Sequence, residues 1–219
     1  MDDSLVTIRD LVKTFAVAAH HRGRMGAVRD LVSRERRIVR AVDGVSFDIA
    51  AGELVGYLGP NGAGKSTTIK MLTGVLVPTS GEVRVAGFVP WRDRVRYTRQ
   101  IGVVFGQRTN LWWDLPLVET YELLRHVYRV PADRFARNLA RFEDLLGLGE
   151  FLDTPVRQLS LGQRMRADLA AAMLHDPRIL ILDEPTIGLD VLAKERVRGF
   201  VGEINRERGV TIVLTTHDL

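Results

Sequence analysis

The sequence predicts a three-layer α/β core organised around a parallel sheet, and three observations lead there. Strands and helices alternate along most of the 219 residues, as in sheets covered by helices on both faces. Ile179-Leu180-Ile181-Leu182 is a continuous apolar run, which a strand buried on both sides requires. Finally, Gly59-Pro60-Asn61-Gly62-Ala63-Gly64-Lys65-Ser66-Thr67 follows a short apolar strand, Leu54 to Leu58, and opens a helix over Thr67 to Leu72. It fits the pattern G-x-x-x-x-G-K-[ST] at every fixed position.

In chain order, Leu5-Val6-Thr7-Ile8 alternates and reads as a first strand, followed by Leu11, Val12 and Phe15. Residues 16–40 form a basic insertion: from His20 to Arg40 there are seven arginines against two acids, Asp30 and Glu35. Within it Ala27, Val28, Leu31 and Val32 share a helical face, with Arg24, Arg29, Arg34, Arg36 and Arg37 largely around the other. Val45 to Ile49 reads as a strand, and Ala51-Gly52-Glu53 turns into the strand before the glycine loop. Pro78-Thr79-Ser80-Gly81 is a turn, and Glu82 to Ala86 a further strand. Ile101 to Phe105 is a short apolar strand ending at Gly106-Gln107. Leu117 to Leu146 is helical and broken by Pro131, and another helix runs from near Leu161 to about His175, stopped by Asp176-Pro177. Val191 to Arg208 is an amphipathic helix and Val210 to Leu214 a last strand. The stretch from about 107 to 176 is therefore a mostly helical insert in the α/β core. Since the chain stops at Leu219, just after a strand, the expectation is a core trimmed at its C-terminal end.

Hydrophobic residues at 46% and charged residues at 26% are ordinary for a globular protein. No apolar run approaches the roughly 18–20 residues of a membrane helix, and the acidic start Met1-Asp2-Asp3 does not resemble a signal peptide. The absence of cysteine excludes disulfides and thiolate metal sites. A net charge of +4 is too small to demand a nucleic-acid partner.

The glycine loop carries the clearest chemistry. Its glycines permit a tight turn, its amides converge, and the helix dipole favours an anion there. Lys65 can reach outer phosphates, and the Ser66 hydroxyl can complete a magnesium shell that keeps waters. A nucleoside triphosphate is the ligand expected. Asp183 and Glu184 end the buried strand, the edge where parallel sheets place ligands. One acid can hold magnesium through water while the next polarises the attacking water. Alone, the pair could instead cap the following turn. Leu159-Ser160-Leu161-Gly162-Gln163 precedes a helix, and Ser160 suits an N-cap.

Taken together, the phosphate loop, a lone glutamine, L-S-x-G-Q, apolar-D-E, G-L-D and a post-strand histidine stand in an order that resembles the nucleotide-binding domain of ABC transporters. The resemblance covers nearly the whole chain. It implies a P-loop NTPase fold, an ABC-type ATPase core with a small antiparallel β subdomain and an inserted helical subdomain, over residues 1–219. It also implies roles. Gly59 to Thr67 (Gly59, Pro60, Asn61, Gly62, Ala63, Gly64, Lys65, Ser66, Thr67) resembles the Walker A loop, and Gln107 the Q-loop glutamine that senses magnesium. Ser160, Leu161, Gly162 and Gln163 resemble the signature motif that caps the γ-phosphate held by the opposite subunit. Asp183 resembles the Walker B aspartate, Glu184 the catalytic glutamate, Asp190 the D-loop aspartate, and His217 the switch histidine. Outside this framework His217 would be a structural histidine. Phe15 stands where the family stacks an aromatic on adenine, with a core phenylalanine as the alternative.

Two departures matter. Leu161 replaces the second glycine of the more usual LSGGQ, and the added side chain excludes some backbone geometries. The segment 16–40 is similar to an insertion in polysaccharide exporters, and also to bacterial ABC-2-type drug-exporter ATPases of the viologen-exporter type. Gly102-Val103-Val104-Phe105-Gly106-Gln107 and Leu111-Trp112-Trp113-Asp114-Leu115-Pro116 strengthen that second likeness. The basic segment could face a permease or anionic headgroups, or pack as a solvated helix on its own domain. Trp112 and Trp113 could dock a permease or form core. The implied function is an ATP- and Mg2+-dependent ATPase subunit of an exporter. It would dimerise on ATP, drive a transmembrane permease, sit peripherally at the cytoplasmic face of the membrane through that partner, and bind no nucleic acid. The rivals are a soluble ABC ATPase acting on ribosomes or DNA, and an unrelated P-loop kinase or GTPase. No N-K-x-D guanine motif is present, and a kinase would not need Leu159 to Gln163.

Overall fold

The computed structural model describes residues 4–18, 36–106 and 108–216. Gln107, His217 and the expected helical face at Ala27, Val28, Leu31 and Val32 lie outside them. Among the described residues, seven strands form two sheets. Strands β1 (Ser4–Ala18), β2 (Arg36–Ala50) and β4 (Ser80–Val85) make an antiparallel sheet in the order β2-β1-β4. Strands β3 (Leu54–Leu58), β5 (Ile101–Phe105), β6 (Ile179–Asp183) and β7 (Thr211–Thr216) make a parallel sheet in the order β3-β7-β6-β5.

Six α-helices accompany them among the described residues: α1 (Lys65–Leu72), α2 (Arg94–Tyr97), α3 (Leu117–Tyr128), α4 (Ala132–Leu146), α5 (Leu161–Met173) and α6 (Val191–Arg208). Pro131 divides α3 from α4 because it cannot donate within a helix, and it serves as the residue before α4 instead. Three of these helices, α3 to α5, lie between β5 and β6 in the chain.

Strand β6 shows why its apolar run is continuous. Successive side chains leave a strand on opposite faces. Ile179 and Ile181 pack with Val6, Ile8 and Leu11 of β1, Val83 and Val85 of β4, and Ile69 and Leu72 of α1. Leu180 and Leu182 enter the other cluster, with Leu169 and Met173 of α5 and Val197 and Phe200 of α6. Fully burying each such side chain is worth roughly 1.5–3 kcal/mol, so the strand is fixed from both sides.

The first hairpin differs from the expectation. Residues 16–18 and 36–40, counted in sequence as part of the insertion, continue β1 and β2 as paired strand, from Thr14↔Arg40 through Phe15↔Val39 and Val17↔Arg37 to Ala18↔Arg36. Val17, Ile38 and Val39 are β-branched and suit a ladder, and that pairing is non-local, so helical periodicity in the intervening residues could not disclose it. The third strand, β4, accompanies β1 only from Val6 to Val12, so the outer part is a two-stranded ribbon. The short α2 also had no clear sequence signal.

Candidate nucleotide site

The strand β3 delivers the glycine loop to the N-terminus of α1. Gly62 and Gly64 have φ of +82° and +86°, a region where side chains are strained. At Gly64 space forbids a side chain as well: a Cβ would stand 2.2 Å from the Ala41 carbonyl oxygen. Ala41 is the extra residue of a register shift in β2, between Lys13↔Val42 and Thr14↔Arg40. The bulge thus presses the antiparallel sheet against the phosphate loop. Ala41, Asn61 to Thr67 and Glu184 line a cleft of about 250 Å³ there. Lys65 is 5% exposed, and its Nζ donates to the carbonyls of Gly59 at 2.5 Å and Pro60 at 3.1 Å. Its charge is therefore held over the loop, where an anion would compete for it.

The acidic pair faces this loop from β6, with β7 between. Ser66 Oγ donates to Asp183 Oδ1 at 3.1 Å, and Thr215 Oγ1 donates to the same oxygen at 2.7 Å. The Ser66 proton is turned inward, so its lone pairs remain for a cation. Hydroxyl and carboxylate oxygens suit a hard divalent ion such as magnesium, which takes one or two protein groups beside phosphates and waters. These residues fit that ion.

Glu184 has φ of +54°. A non-glycine residue there costs about 1–3 kcal/mol and persists only when its surroundings fix it. Three contacts do so. The Glu184 amide donates to Thr215 Oγ1 at 3.0 Å, Ile187 N donates to its carbonyl at 3.3 Å, and Gly106 N donates to the preceding Asp183 carbonyl at 2.8 Å. A Cβ on Gly106 would meet the Glu184 carbonyl oxygen at 2.2 Å. Ser66, Asp183 and Glu184 share a larger cleft of about 720 Å³ with Phe105, Gly106 and Arg108.

Other expected residues lie as follows. Ser160 caps α5 in a reciprocal box: Gln163 N donates to Ser160 Oγ at 3.2 Å and Ser160 N to Gln163 Oε1 at 2.9 Å. Leu161 is exposed, and its Cδ2 is 3.1 Å from where a Cβ on Gly188 would stand. A Cβ on Gly162 would be 3.1 Å from Cβ of Ala193. Asp190 caps α6, accepting from Ala193 N at 2.8 Å.

Phe15 is no core residue: it is 37% exposed on β1 with the Lys13 ammonium 5.1 Å from its ring centre. Trp112 and Trp113 are likewise not core, at 42% and 48% exposure, and Arg164 lies over the Trp113 ring at 5.1 Å. The residues brought together are thus Lys65, Ser66, Asp183 and Glu184. Ser160 to Gln163 and Asp190 stand at two other helix starts. Sequence reasoning assigned no role to Ala41, Gly106 or Thr215; a G-Q pair and a T-T-H-D run were the available signals for the last two.

A strand, a phosphate loop and a helix, with a carboxylate pair on the next strand but one, define a P-loop nucleoside triphosphatase. Within that class, the family model described as ABC transporter matches residues 42–187, and the chain belongs to that family. It is 34% identical over 186 residues to the ABC transporter ATP-binding protein NatA of Bacillus subtilis, covering 84% of this chain and 74% of NatA. It is 37% identical over 185 residues to the methionine import ATP-binding protein MetN of Geobacillus kaustophilus (83% and 54%). To the Nod factor export ATP-binding protein I of Paraburkholderia xenovorans it is 40% identical over 181 residues (80% and 57%). The chain therefore spans little more than half of the last two. The dimeric post-hydrolysis state of the ATP-binding cassette MJ0796 bound to ADP and Pi superposes with a TM-score of 0.77 at 28% identity, over 97% of this chain and 88% of that one. The protein is an ABC-type ATPase cassette with an antiparallel and a parallel sheet.

Proposed function

We propose that this chain is the ATPase subunit of a membrane exporter, working as an ATP-dependent dimer that drives a separate permease from the cytoplasmic face of the membrane. The observation that carries the catalytic part is the strained Glu184 beside the Ser66–Asp183–Thr215 hydroxyl–carboxylate set, across from the Lys65 loop. The dimeric relative bound to ADP and Pi supports the oligomer, and relatives named for export and for import support a transport role. Export is favoured by the drug-exporter likeness of the segments around Phe105 and Trp112.

In this mechanism the loop amides and Lys65 bind the β- and γ-phosphates and stabilise developing charge, the dominant need in phosphoryl transfer. Ser66 and Asp183 would hold Mg2+, with Gln107 as a further ligand; bound magnesium supplies charge neutralisation on the phosphates. Glu184 accepts a proton from the attacking water and orients it. Phe15 offers its exposed face to adenine. Ser160 to Gln163 of the second copy close over the γ-phosphate, Asp190 lies at that contact, and His217 steadies the phosphate. Because one copy anchors the phosphate and the other caps it, ATP favours the closed pair and hydrolysis releases it. Trp112 and Trp113 offer half-exposed rings to the permease.

Glu184→Gln decides the catalytic assignment. It should lower ATP turnover by about 10²-fold or more, keep nucleotide binding, and shift the protein to a dimer in ATP on size exclusion. An E184Q protein with wild-type turnover contradicts the assignment. Co-purification of the protein from membranes with an integral partner tests the transport part; recovery with ribosomes or DNA instead would overturn it.

A further inference from the structure

Outside the phosphate-binding residues, the most unusual polar group is the carboxylate of Asp168, 6% exposed in the middle of α5. Its Oδ1 accepts two hydrogen bonds from the segment after β5: Thr109 Oγ1 and the Asn110 amide, each at 3.0 Å. Thr109 Oγ1 also accepts from the Leu111 amide at 3.1 Å, and Asn110 Nδ2 donates to the Val103 carbonyl at 3.2 Å. Arg108, Thr109 and Asn110 form one wall of the cleft that holds Ser66, Asp183 and Glu184. On its other side Asn110, with Asp168 itself, lines an apolar pocket of about 320 Å³ among Leu124, Tyr128 and His175. The segment is thus tied at Gly106 to the backbone beneath Glu184 and at 109–110 to α5.

Asp168 lies eight residues after Ser160, about 12 Å along a helix. We propose that Asp168 is a positioning residue for ATP turnover: it holds the 108–110 wall of the nucleotide cleft to the helix that begins at Ser160. Displacement of the Ser160 end of α5 then carries that wall with it. The assignment builds on the cleft being the site of ATP hydrolysis.

The surroundings suit such a latch. Burial pushes the Asp168 carboxyl up to about 7, against the Asn110 amide, the Thr109 hydroxyl and Arg164, which favour the anion. Tyr121 of α3 is hydrogen-bonded to the adjacent Ala167 carbonyl at 3.0 Å, and His175 shares the apolar pocket. A neutral acceptor oxygen is therefore compatible with the site, and asparagine can supply one.

The test uses the full chain with Asp168→Ala, Asp168→Asn and Thr109→Val, reading steady-state ATP turnover and hydrogen exchange of the Asn110 and Leu111 amides. D168A should lower kcat about tenfold or more with KM for ATP within about threefold, a loss typical of misplaced positioning groups. Its two amides should exchange roughly tenfold faster. D168N, which keeps the acceptor, should restore both within about threefold. A D168A protein with fast exchange and wild-type kcat, or a D168N protein as slow as D168A, overturns the proposal. Should D168A fail to fold, T109V removes one of the two bonds at a half-buried position, and wild-type kcat in that variant overturns it equally. If the wild-type chain hydrolyses no ATP, the assignment of the cleft falls; the exchange contrast between D168A and D168N still decides whether Asp168 holds the segment.

Discussion

Thr215 gives its hydroxyl proton to Asp183 and takes the Glu184 amide proton on the same oxygen. Valine has the same shape and can do neither. Thr215→Val should therefore cost about 1–3 kcal/mol, mostly for the stranded amide, in denaturant melts. Turnover should fall as well, since Glu184 loses the bond that holds its left-handed backbone; Thr215→Ser should recover both. Equal turnover in the valine and serine proteins would separate Thr215 from catalysis. The four central groups, Lys65, Ser66, Asp183 and Glu184, were legible in sequence because each motif fixes its residues at short range. Thr215, Gly106 and Ala41 were not: their importance arises only when β7 and β5 flank β6 and β2 bulges against the glycine loop.

Among the elements, α5 admits two explanations of Ser160, as a helix cap and as a phosphate-facing group, and one substitution separates them. Aspartate caps as well as serine, while removal of the cap costs about 1 kcal/mol. Ser160→Asp should thus keep the denaturation midpoint while its carboxylate repels a triphosphate and abolishes turnover. An active S160D protein would leave only the cap. Most elements were legible from periodicity: α3, α4, α5, α6, β5 and β6 begin and end within a few residues of the expected positions. The ladder of β1 and β2 beyond residue 15 was not, because strand pairing is a contact between distant stretches and arginine-rich sequence suits an exposed helix equally well.

At the scale of the molecule, the buried groups Asp168 and His175 have opposing effects on stability. Burial pushes His175 down to about 4 from 6.5, although its Nε2 meets the Ile101 carbonyl at 3.1 Å and its ring stacks on Tyr128 at 4.0 Å. The unfolded chain takes up that proton first, so this histidine costs stability as pH falls from 6.5 towards 4. Asp168, pushed up to about 7 from 3.8, has the opposite sign: its contribution is full below 3.8 and is lost as pH rises through 7. Between about 4 and 6.5 the slopes nearly cancel. Single substitutions should unmask each one. Stability of Asp168→Asn should fall as pH drops below 6.5, and that of His175→Gln should fall as pH rises from 4 to 7, in urea melts across that range. Flat profiles in both would show that neither group titrates differently on folding.

Among the described residues, the ribbon formed by the outer halves of β1 and β2 has rungs but no third strand to brace it. Its length can consequently vary among relatives without disturbing the catalytic body, most simply in matched steps, one residue from each arm. An unmatched residue inward of Phe15 must either bulge out, as Ala41 does, or turn Phe15 away from the direction it now shares with Lys13. Within the paired arms, matched insertions should therefore lengthen the ladder and unmatched ones should appear as bulges.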